Sequence, residues 1–327
     1  SSNLVQNGDF SEEGSEEVSN GSFSQEGVQL ITNGDFSSDT DWTLGTGWTI
    51  SGGTANYDGL QAYQLLRQGT ANGVIGKTYL VKYDVSNNNG TGGIIAKFGG
   101  VNLSSYNSDN GSFEFYVEAI STDYIRFTPQ LDFNGSIDNV SVREVGQDWV
   151  IASGSGWSIG DSKLIGVNAA NFSAYQVTLI SGKTYKFTYE VKDYVSGQFG
   201  IRANTVGGIT VTANGIYTDY IKSNGDKVYL MGSGTFNGSV TNISVKEVGQ
   251  NWTLGTGWEI GNDVANAVNA PFGSQLVDSA TLTASKKYSV SFVISNYIQG
   301  SVRVAVGNVL SSDVSADGSY TFILTSA

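Results

Sequence analysis

The sequence predicts an all-β protein made of tandem jelly-roll β-sandwiches, three in number with the last incomplete, after a short N-terminal repeat segment. Three observations predict this class: runs in which aromatic and β-branched residues alternate with polar ones, internal repeats at two scales, and no sustained helical stripe. The chain has 327 residues, which is enough for two or three domains of ~100–150 residues each.

The N-terminal segment, residues 1–30, is dominated by a 13-residue repeat that ends in the first domain. Its units LVQNGDF, VSNGSF and ITNGDF combine a short apolar piece, an Asn-Gly turn signal and one phenylalanine. The repeated positions are Asn7, Asn20, Asn33, Phe10, Phe23 and Phe36. Because 13 residues cannot bury a core, we expect the copies to stack on one another, on a domain, or on neighbouring chains.

Three longer repeats of about 103 residues follow, and they define the predicted domains 31–147, 148–250 and 251–327. Each begins with a tryptophan pair, in DWTLGTGW, DWVIASGSGW and NWTLGTGW. A second marker lies inside each repeat, in GKTYLVKYDV, GKTYKFTYEV and SKKYSVSFVI. The closing segments FNGSIDNVSVREVGQ and FNGSVTNISVKEVGQ match at 11 of 15 positions. Markers that keep the same order and spacing indicate tandem domains joined by little more than Gly-Gln.

The strands within these repeats show period-two alternation. In YKFTYEV, aromatic residues and a valine alternate with Lys186, Thr188 and Glu190, and clusters of Gly, Asn and Ser separate such runs at roughly 8–12 residues. This pattern is typical of half-buried antiparallel strands in a sandwich of jelly-roll type.

The third repeat ends early, because only seven residues follow Tyr320, whereas 33 follow the corresponding Tyr217 up to Gln250. A sandwich without its last strand would expose a sheet edge. We therefore expect the natural protein to continue past Ala327, or another chain to complete this domain.

Composition and charge exclude several classes of function. The chain has no Cys and no His, which excludes disulfides, thiol nucleophiles, Ser-His-Asp triads and histidine metal ligands. The net charge of −13 argues against nucleic acid and anionic membranes as partners, and no apolar run approaches a membrane span of ~20 residues. Residues 1–66 carry ten acidic residues and no Lys or Arg, so the acidity belongs mostly to the N-terminal part.

The segments LITNGDFSSDTDW, GKTYLVKYDV and FNGSIDNVSVREV together resemble carbohydrate-binding modules of families four and nine, which are jelly rolls of the galactose-binding-domain-like group. Tandem copies with NGDFS segments also resemble fibre and appendage proteins of tailed bacteriophages. The resemblance implies sandwiches that decorate tails or capsids and contact host glycans, in an assembly that is usually trimeric. Repeats two and three depart from it because they lack the NGDF opening.

The resemblance also implies a structural calcium ion near the two ends of the module; no other cofactor is expected. Asp35 and Asp138 are the candidate ligands, in the first domain only, since Thr241 replaces Asp138 in repeat two.

The candidate ligand-binding residues are polar or aromatic side chains around the middle strand of each repeat. They are Tyr57, Tyr63, Gln64, Arg67, Phe172, Tyr175, Gln176, Phe272 and Gln275. The repeated tryptophans could stack on sugar rings, but their fixed register favours a role in the shared core. For the glutamines, a structural role is as well supported as a binding role.

Catalytic motifs are weak. Gly-Lys-Thr at Gly76 and Gly182 lacks the leading glycine of a P-loop and precedes a strand, so it indicates a turn. Glycosidases need two placed carboxylates, and only Glu144 and Glu247 recur across domains. The sequence therefore predicts a protein that is not an enzyme.

The function that fits these observations is a structural virion fibre or appendage protein, at the virion surface or otherwise extracellular. Residues 1–30 would attach it to a capsid or tail protein or assemble it with sister chains into a homotrimer, and the sandwiches would contact host glycans. Two alternatives stay open: the glycan-targeting modules of a larger secreted polysaccharide-degrading enzyme, and a spacer or decoration protein with no ligand.

Overall fold

A computed structural model describes the chain except Ser1, Ala62, Ser105, Leu131 and the side chains of residues 171–173. The described residues form 27 β-strands and no helix. They divide into two compact units, Glu13–Val248 and Ser1–Glu12 with Gly249–Ala327, which are described separately.

The larger unit starts with two short strands of the N-terminal repeats, β1 (Glu13–Glu16) and β2 (Glu26–Gln29). Ten strands of the first sandwich follow: β3 (Thr43–Leu44), β4 (Trp48–Ser51), β5 (Thr54–Tyr57), β6 (Leu66–Asn72), β7 (Thr78–Ser86), β8 (Gly93–Phe98), β9 (Val101–Asn102), β10 (Gly111–Glu118), β11 (Tyr124–Gln130) and β12 (Ser136–Val145).

The first sandwich consists of two antiparallel sheets that enclose one core. One sheet has the order β10-β7-β12-β5-β4 and the other β3-β6-β11-β8-β9. The predicted alternation is present in β7, where Tyr79, Val81, Tyr83 and Val85 face the core and are at most 2 % exposed. Strand β2 adds to the first sheet by pairing with the C-terminal part of β12.

The second sandwich repeats this order with fewer, longer strands. They are β13 (Val150–Ile151), β14 (Trp157–Gly160), β15 (Lys163–Val177), β16 (Thr184–Ala203), β17 (Val206–Val211), β18 (Gly215–Lys222) and β19 (Lys227–Val248). Strands β15, β16 and β19 are continuous through both sheets, and register shifts interrupt their pairing. Each therefore corresponds to two consecutive strands of the first sandwich, and the seven strands join with β1 into one eight-stranded sheet. Strand β1 pairs with β19 as β2 pairs with β12.

The two sandwiches of this unit share an apolar junction. Leu80 and Val145 of the first belong to the same buried cluster as Ile159 of the second, and Tyr116 packs against that cluster. The predicted all-β class with tandem sandwiches is confirmed by these sheets.

The smaller unit contains the strands of the third repeat. They are β20 (Trp252–Leu254), β21 (Trp258–Gly261), β22 (Val264–Ala267), β23 (Leu276–Asp278), β24 (Lys287–Ile294), β25 (Ala305–Val306), β26 (Val309–Leu310) and β27 (Gly318–Thr325). They pair two by two into four small sheets. Strand β24 alternates between exposed and half-buried residues, whereas the equivalent β7 alternates between half-buried and buried ones.

The difference has a physical cause in the sheet order. In the first sandwich β12 joins β7 to β5, and β11 joins β6 to β8; residues 251–327, all of them described, contain no strand paired in either of these positions. Their strand pairs are therefore not connected into large sheets.

The part of the chain that the structure describes contains no helix long and apolar enough to cross a membrane.

Candidate functional site

The most distinctive site is the place where an N-terminal repeat binds a sandwich, which we call the repeat-docking site. In the second sandwich it holds the turn Asn20–Phe23, in which the Phe23 N–H donates to the Asn20 carbonyl at 3.0 Å. The same carbonyl accepts the indole N–H of Trp149 at 3.1 Å. The Phe23 ring lies 5.2 Å from the Trp149 ring, and both residues are under 5 % exposed. The repeat therefore completes the core around this tryptophan.

The glycine of this turn lies directly against the closing strand. The Ile243 N–H donates to the Gly21 carbonyl at 2.9 Å. A Cβ on Gly21 would lie 1.9 Å from the Ile243 carbonyl oxygen. Only glycine fits this approach, which is the structural reason for the Asn-Gly sequence.

Gln176 fixes the chain just before the turn. Its side-chain oxygen accepts the Ser19 N–H at 3.0 Å, and its Nε2 donates to the Ser19 carbonyl at 2.6 Å. Val18, which directly precedes Ser19, is 5 % exposed and belongs to the same core.

Strand β1 extends the contact along β19 by charge and hydrogen bonding. The Glu13 carboxylate pairs with Lys186 at 2.6 Å and with Lys246 at 3.0 Å. Glu16 accepts the Val245 N–H at 2.6 Å and the Ser244 hydroxyl at 2.6 Å. The acidic residues that precede the second 13-residue unit thus face basic side chains of the second sandwich.

The first sandwich binds the third 13-residue unit, which contains Asn33 and Phe36, through the same contacts. Trp42 Nε1 donates to the Asn33 carbonyl at 2.9 Å, and the Phe36 and Trp42 rings lie 4.9 Å apart. Gln68 exchanges two hydrogen bonds with Thr32, at 3.0 and 2.7 Å. A Cβ on Gly34 would lie 2.1 Å from the closing strand.

The first 13-residue unit, which contains Asn7 and Phe10, makes the corresponding contacts within the smaller unit. Trp252 Nε1 donates to the Asn7 carbonyl at 3.0 Å, and the Phe10 and Trp252 rings lie 5.1 Å apart. Near Gly8, by contrast, the closest atom to an added Cβ is Val5 Cγ1 at 3.3 Å.

The NGDF opening missing from repeats two and three is therefore supplied by the N-terminal segment. Of the three alternatives for the 13-residue units, the structure shows stacking on a domain. Sequence reasoning left the choice open and did not identify the partners, because they are 129 and 245 residues apart. The signal available was numerical: three Asn-Gly-x-Phe units and three tryptophan pairs.

The tryptophans lie where the core interpretation expects them. Trp42, Trp48, Trp149 and Trp157 are at most 8 % exposed, and the pair of the third repeat is partly buried.

Several predicted ligand residues also have contacts inside the fold. Tyr57 is 2 % exposed and its hydroxyl donates to the Gln61 carbonyl. Arg67 donates to the Tyr124 hydroxyl at 2.8 Å and lies over that ring. The Tyr175 and Tyr229 rings lie 5.4 Å apart at an angle of 50°, and the Lys227 ammonium lies 5.4 Å from the centre of the Tyr175 ring.

The three glutamines grouped in the sequence analysis are not equivalent in space. Gln176 binds Ser19, and its counterpart is Gln68 rather than Gln64. The Gln64 backbone carbonyl accepts the indole N–H of Trp48 at 2.8 Å. The Gln275 carbonyl accepts the Gly255 N–H at 2.8 Å.

Two predicted aromatic residues are exposed on the equivalent loop of their repeats. Tyr63 is 70 % exposed and Phe272 is 97 % exposed. Phe272 borders a shallow depression together with Thr256, Ser274 and Gln275. Phe172 lies within β15 of the second sandwich, and its side chain is outside the described residues.

The predicted calcium ligands do not form a metal site in the part of the chain that the structure describes. Burial raises the pKa of Asp138, and the nearby carboxylates of Asp84 and Asp35 raise it further. Asn139 donates its N–H to Asp138 at 2.7 Å and its side-chain amide to Asp84 at 2.7 Å. No group of three or more acidic side chains there is arranged to hold a metal, whereas calcium takes six to eight oxygen ligands. The residues present do not fit the ion.

The recurring carboxylates Glu144 and Glu247 pair with the lysines of the two Gly-Lys-Thr turns. The distances are 3.1 Å to Lys77 and 2.8 Å to Lys183. Both motifs singled out as chemical candidates therefore form ion pairs between a turn and the closing strand of a sandwich.

No protein-family model matches the sequence, and a search of the curated proteins finds no match. Among solved structures, the chain is similar to the N-terminal CBM22-1-CBM22-2 tandem domain of Xyn10C from Paenibacillus barcinonensis. The identity is 9%, with 68% of this chain and 99% of that chain covered, and the TM-score is 0.29. At this identity and TM-score the match carries no argument about the fold. The assignment to tandem all-β sandwiches is based on the sheets described above.

Proposed function

We propose that the chain is a non-enzymatic structural protein of a virion fibre or appendage, on a phage tail or capsid surface. One observation carries the proposal: a single N-terminal segment contributes one 13-residue unit to each of the three long repeats, and two of these units enter the core of a sandwich. This arrangement ties the stability of the sandwiches to the integrity of one covalent segment, which suits a load-bearing component.

The apolar junction between the first two sandwiches supports the same role. Leu80 and Val145 bury side chains in the core of the next sandwich, and a Cβ on Gly146 would lie 1.9 Å from Ile159 Cδ1. A junction with this packing resists bending more than a flexible Gly-Ser linker would.

The experiment is immunogold electron microscopy of particles purified from the source material, using antibodies raised against the recombinant chain. We expect labelled fibres or appendages. Label confined to a soluble fraction with polysaccharide-degrading activity would instead support the enzyme-module alternative.

Sister chains are the proposed assembly partners, as a homotrimer. Three copies of 34.6 kDa give a mass of about 104 kDa. Native mass spectrometry of the purified chain tests this, and a monomer at 34.6 kDa at all concentrations would contradict it.

Adhesion to host glycans is a second candidate function, favoured by the exposed aromatic residues on equivalent loops. Aromatic faces pack against the apolar faces of sugar rings, and Phe272 has hydroxyl and amide side chains beside it. Repeated weak sites would gain strength through multivalency.

A glycan array tests this candidate with the wild-type chain and the Phe272→Ala variant. Ile298→Ala is the matched control, because Ile298 is 88 % exposed and lies outside the loop. We expect Phe272→Ala to lose at least tenfold in binding while the control retains it. Absence of binding by the wild-type chain would favour the ligand-free spacer.

A further inference from the structure

The repeat-docking sites have the features of a peptide-recognition site. In all three, a tryptophan indole donates to the asparagine carbonyl, and the phenylalanine ring lies 4.9–5.2 Å from the tryptophan ring. Each asparagine side chain also accepts the N–H of the residue five positions later, at 3.0, 3.1 and 3.2 Å. The bound segments share one pattern, an apolar residue, any residue, then Asn-Gly-x-Phe.

The sites recognise features that belong to the segment rather than to its covalent attachment. In the second sandwich these features are two backbone hydrogen bonds from Gln176, the Gly21 carbonyl and the buried Phe23 ring. The ion pairs of Glu13 and the hydrogen bonds of Glu16 add contacts along β19. A separate segment of the same sequence could make every one of these contacts.

Covalent attachment sets the local concentration of the segment. Seven residues, 24–30, connect Phe23 to Ile31 of the next docked repeat, and they span at most ~25 Å when extended. A tether this short gives an effective concentration in the millimolar range, so the chain's own repeat occupies the site as long as it is intact.

We propose that each repeat-docking site is a recognition site for an Asn-Gly-x-Phe segment, and that it accepts this segment from a second copy of the chain when its own repeat is released. Sister chains can then exchange repeats and become linked without a new interface. The proposal does not depend on the virion assignment.

A peptide-binding experiment tests the recognition site in the full chain. The Asn20→Ala/Phe23→Ala double variant vacates the site of the second sandwich and leaves the sandwich residues unchanged. A fluorescent peptide of residues 13–25 should bind this variant saturably, and at least tenfold more tightly than it binds the wild-type chain, whose site is occupied. The control peptide carries Phe23→Ala and should not bind.

A mixing experiment tests the exchange between copies. The second partner is a Gln176→Ala/Trp149→Ala variant, whose own site is disabled and whose repeat is free. Mixed with the first variant, it should form a heterodimer of about 69 kDa, twice 34.6 kDa, in native mass spectrometry. Adding Phe23→Ala to the second partner should abolish the heterodimer. Gln176→Ala alone replaces the second partner where the double variant does not fold.

The outcomes separate the two parts of the proposal. Failure of the folded first variant to bind the peptide would overturn the recognition site itself. Peptide binding without any heterodimer, with both partners folded by circular dichroism, would overturn exchange between copies. Peptide binding together with a Phe23-dependent heterodimer supports both.

Discussion

At the scale of single residues, the docked turns combine strain with close packing. Asn20 and Phe23 both have positive φ, 48° and 55°, a region that a bulky side chain such as Phe rarely adopts. Such backbone strain costs ~1–3 kcal/mol and persists only where surrounding contacts fix it. Here, the buried phenylalanine ring and the backbone hydrogen bonds of the turn provide these contacts.

Gly21→Ala should destabilise the second sandwich. The new methyl would meet the Ile243 carbonyl oxygen at 1.9 Å, which is backbone and cannot rotate away. Overpacking of this kind costs ~1–3 kcal/mol, measured as a loss of free energy of unfolding by denaturant titration.

Gly8→Ala is the matched control, since the nearest atom to its added Cβ is Val5 Cγ1 at 3.3 Å. We expect its effect to stay below ~0.5 kcal/mol, the usual range of surface substitutions. Equal losses for the two variants would contradict the assignment of Gly21 to a close backbone approach.

Asp219→Asn should make the second sandwich less sensitive to pH. Asp219 is 6 % exposed, accepts the Ile209 N–H at 3.1 Å and contacts the Tyr189 hydroxyl at 3.3 Å. Burial raises the pKa of its carboxyl above 3.8. Because the folded-state pKa is raised, the stability that this carboxyl contributes is fully present below pH 3.8. That contribution is lost as the pH rises through the folded-state pKa.

The asparagine keeps an oxygen for Ile209 and carries no charge to desolvate. We therefore expect a higher melting temperature than wild type at pH 7, with the difference shrinking towards pH 4. A lower melting temperature at pH 7 would show that the hydrogen bonds of the carboxylate outweigh its burial.

At the scale of elements, Glu13 of strand β1 forms ion pairs with Lys186 and Lys246. The docking of β1 should therefore depend on pH and on salt concentration. The hydrogen bond from Lys186, followed by that from Lys246, lowers the pKa of Glu13 below 4.5. The stabilisation is therefore present above pH 4.5 and is lost as the pH falls through the lowered pKa.

Glu13→Gln should weaken this strand by up to ~1 kcal/mol at pH 7, because partly exposed ion pairs are screened by solvent. The readout is amide hydrogen exchange at Glu17, whose N–H donates to the Val245 carbonyl at 2.8 Å. We expect faster exchange in the variant, with the difference removed in 1 M salt. An unchanged exchange rate at low salt would contradict a role for the pair in holding β1.

The strands themselves could be predicted from sequence, and the docking could not. Period-two alternation identified β7, β16 and β24, because each of these strands is less exposed on one side than on the other. The partner of Asn20 could not be found this way, since Trp149 is 129 residues distant and nothing local specifies the pairing. Likewise, Gln68 was overlooked in favour of Gln64, because the number of residues before the middle strand differs between repeats.

At the scale of the whole molecule, the N-terminal repeats are assigned in reverse order to the long repeats. The third 13-residue unit binds the first sandwich, the second binds the second sandwich, and the first binds the strands of the third repeat. Each sandwich therefore depends on its own part of the segment, and successive truncations should affect them one at a time.

Removing residues 1–12 should expose Trp252 and leave both sandwiches of the larger unit protected. Removing residues 1–24 should in addition deprotect strands around Trp149, while the first sandwich keeps Phe36 on Trp42. Hydrogen-exchange mass spectrometry separates the three regions, and each lost Phe–Trp contact should raise exchange at least tenfold in its own region. Uniform deprotection by the shorter truncation, or no change with the longer one, would contradict independent docking. The full-length chain with Phe10→Ala is the control, because it should reproduce the shorter truncation without removing any backbone.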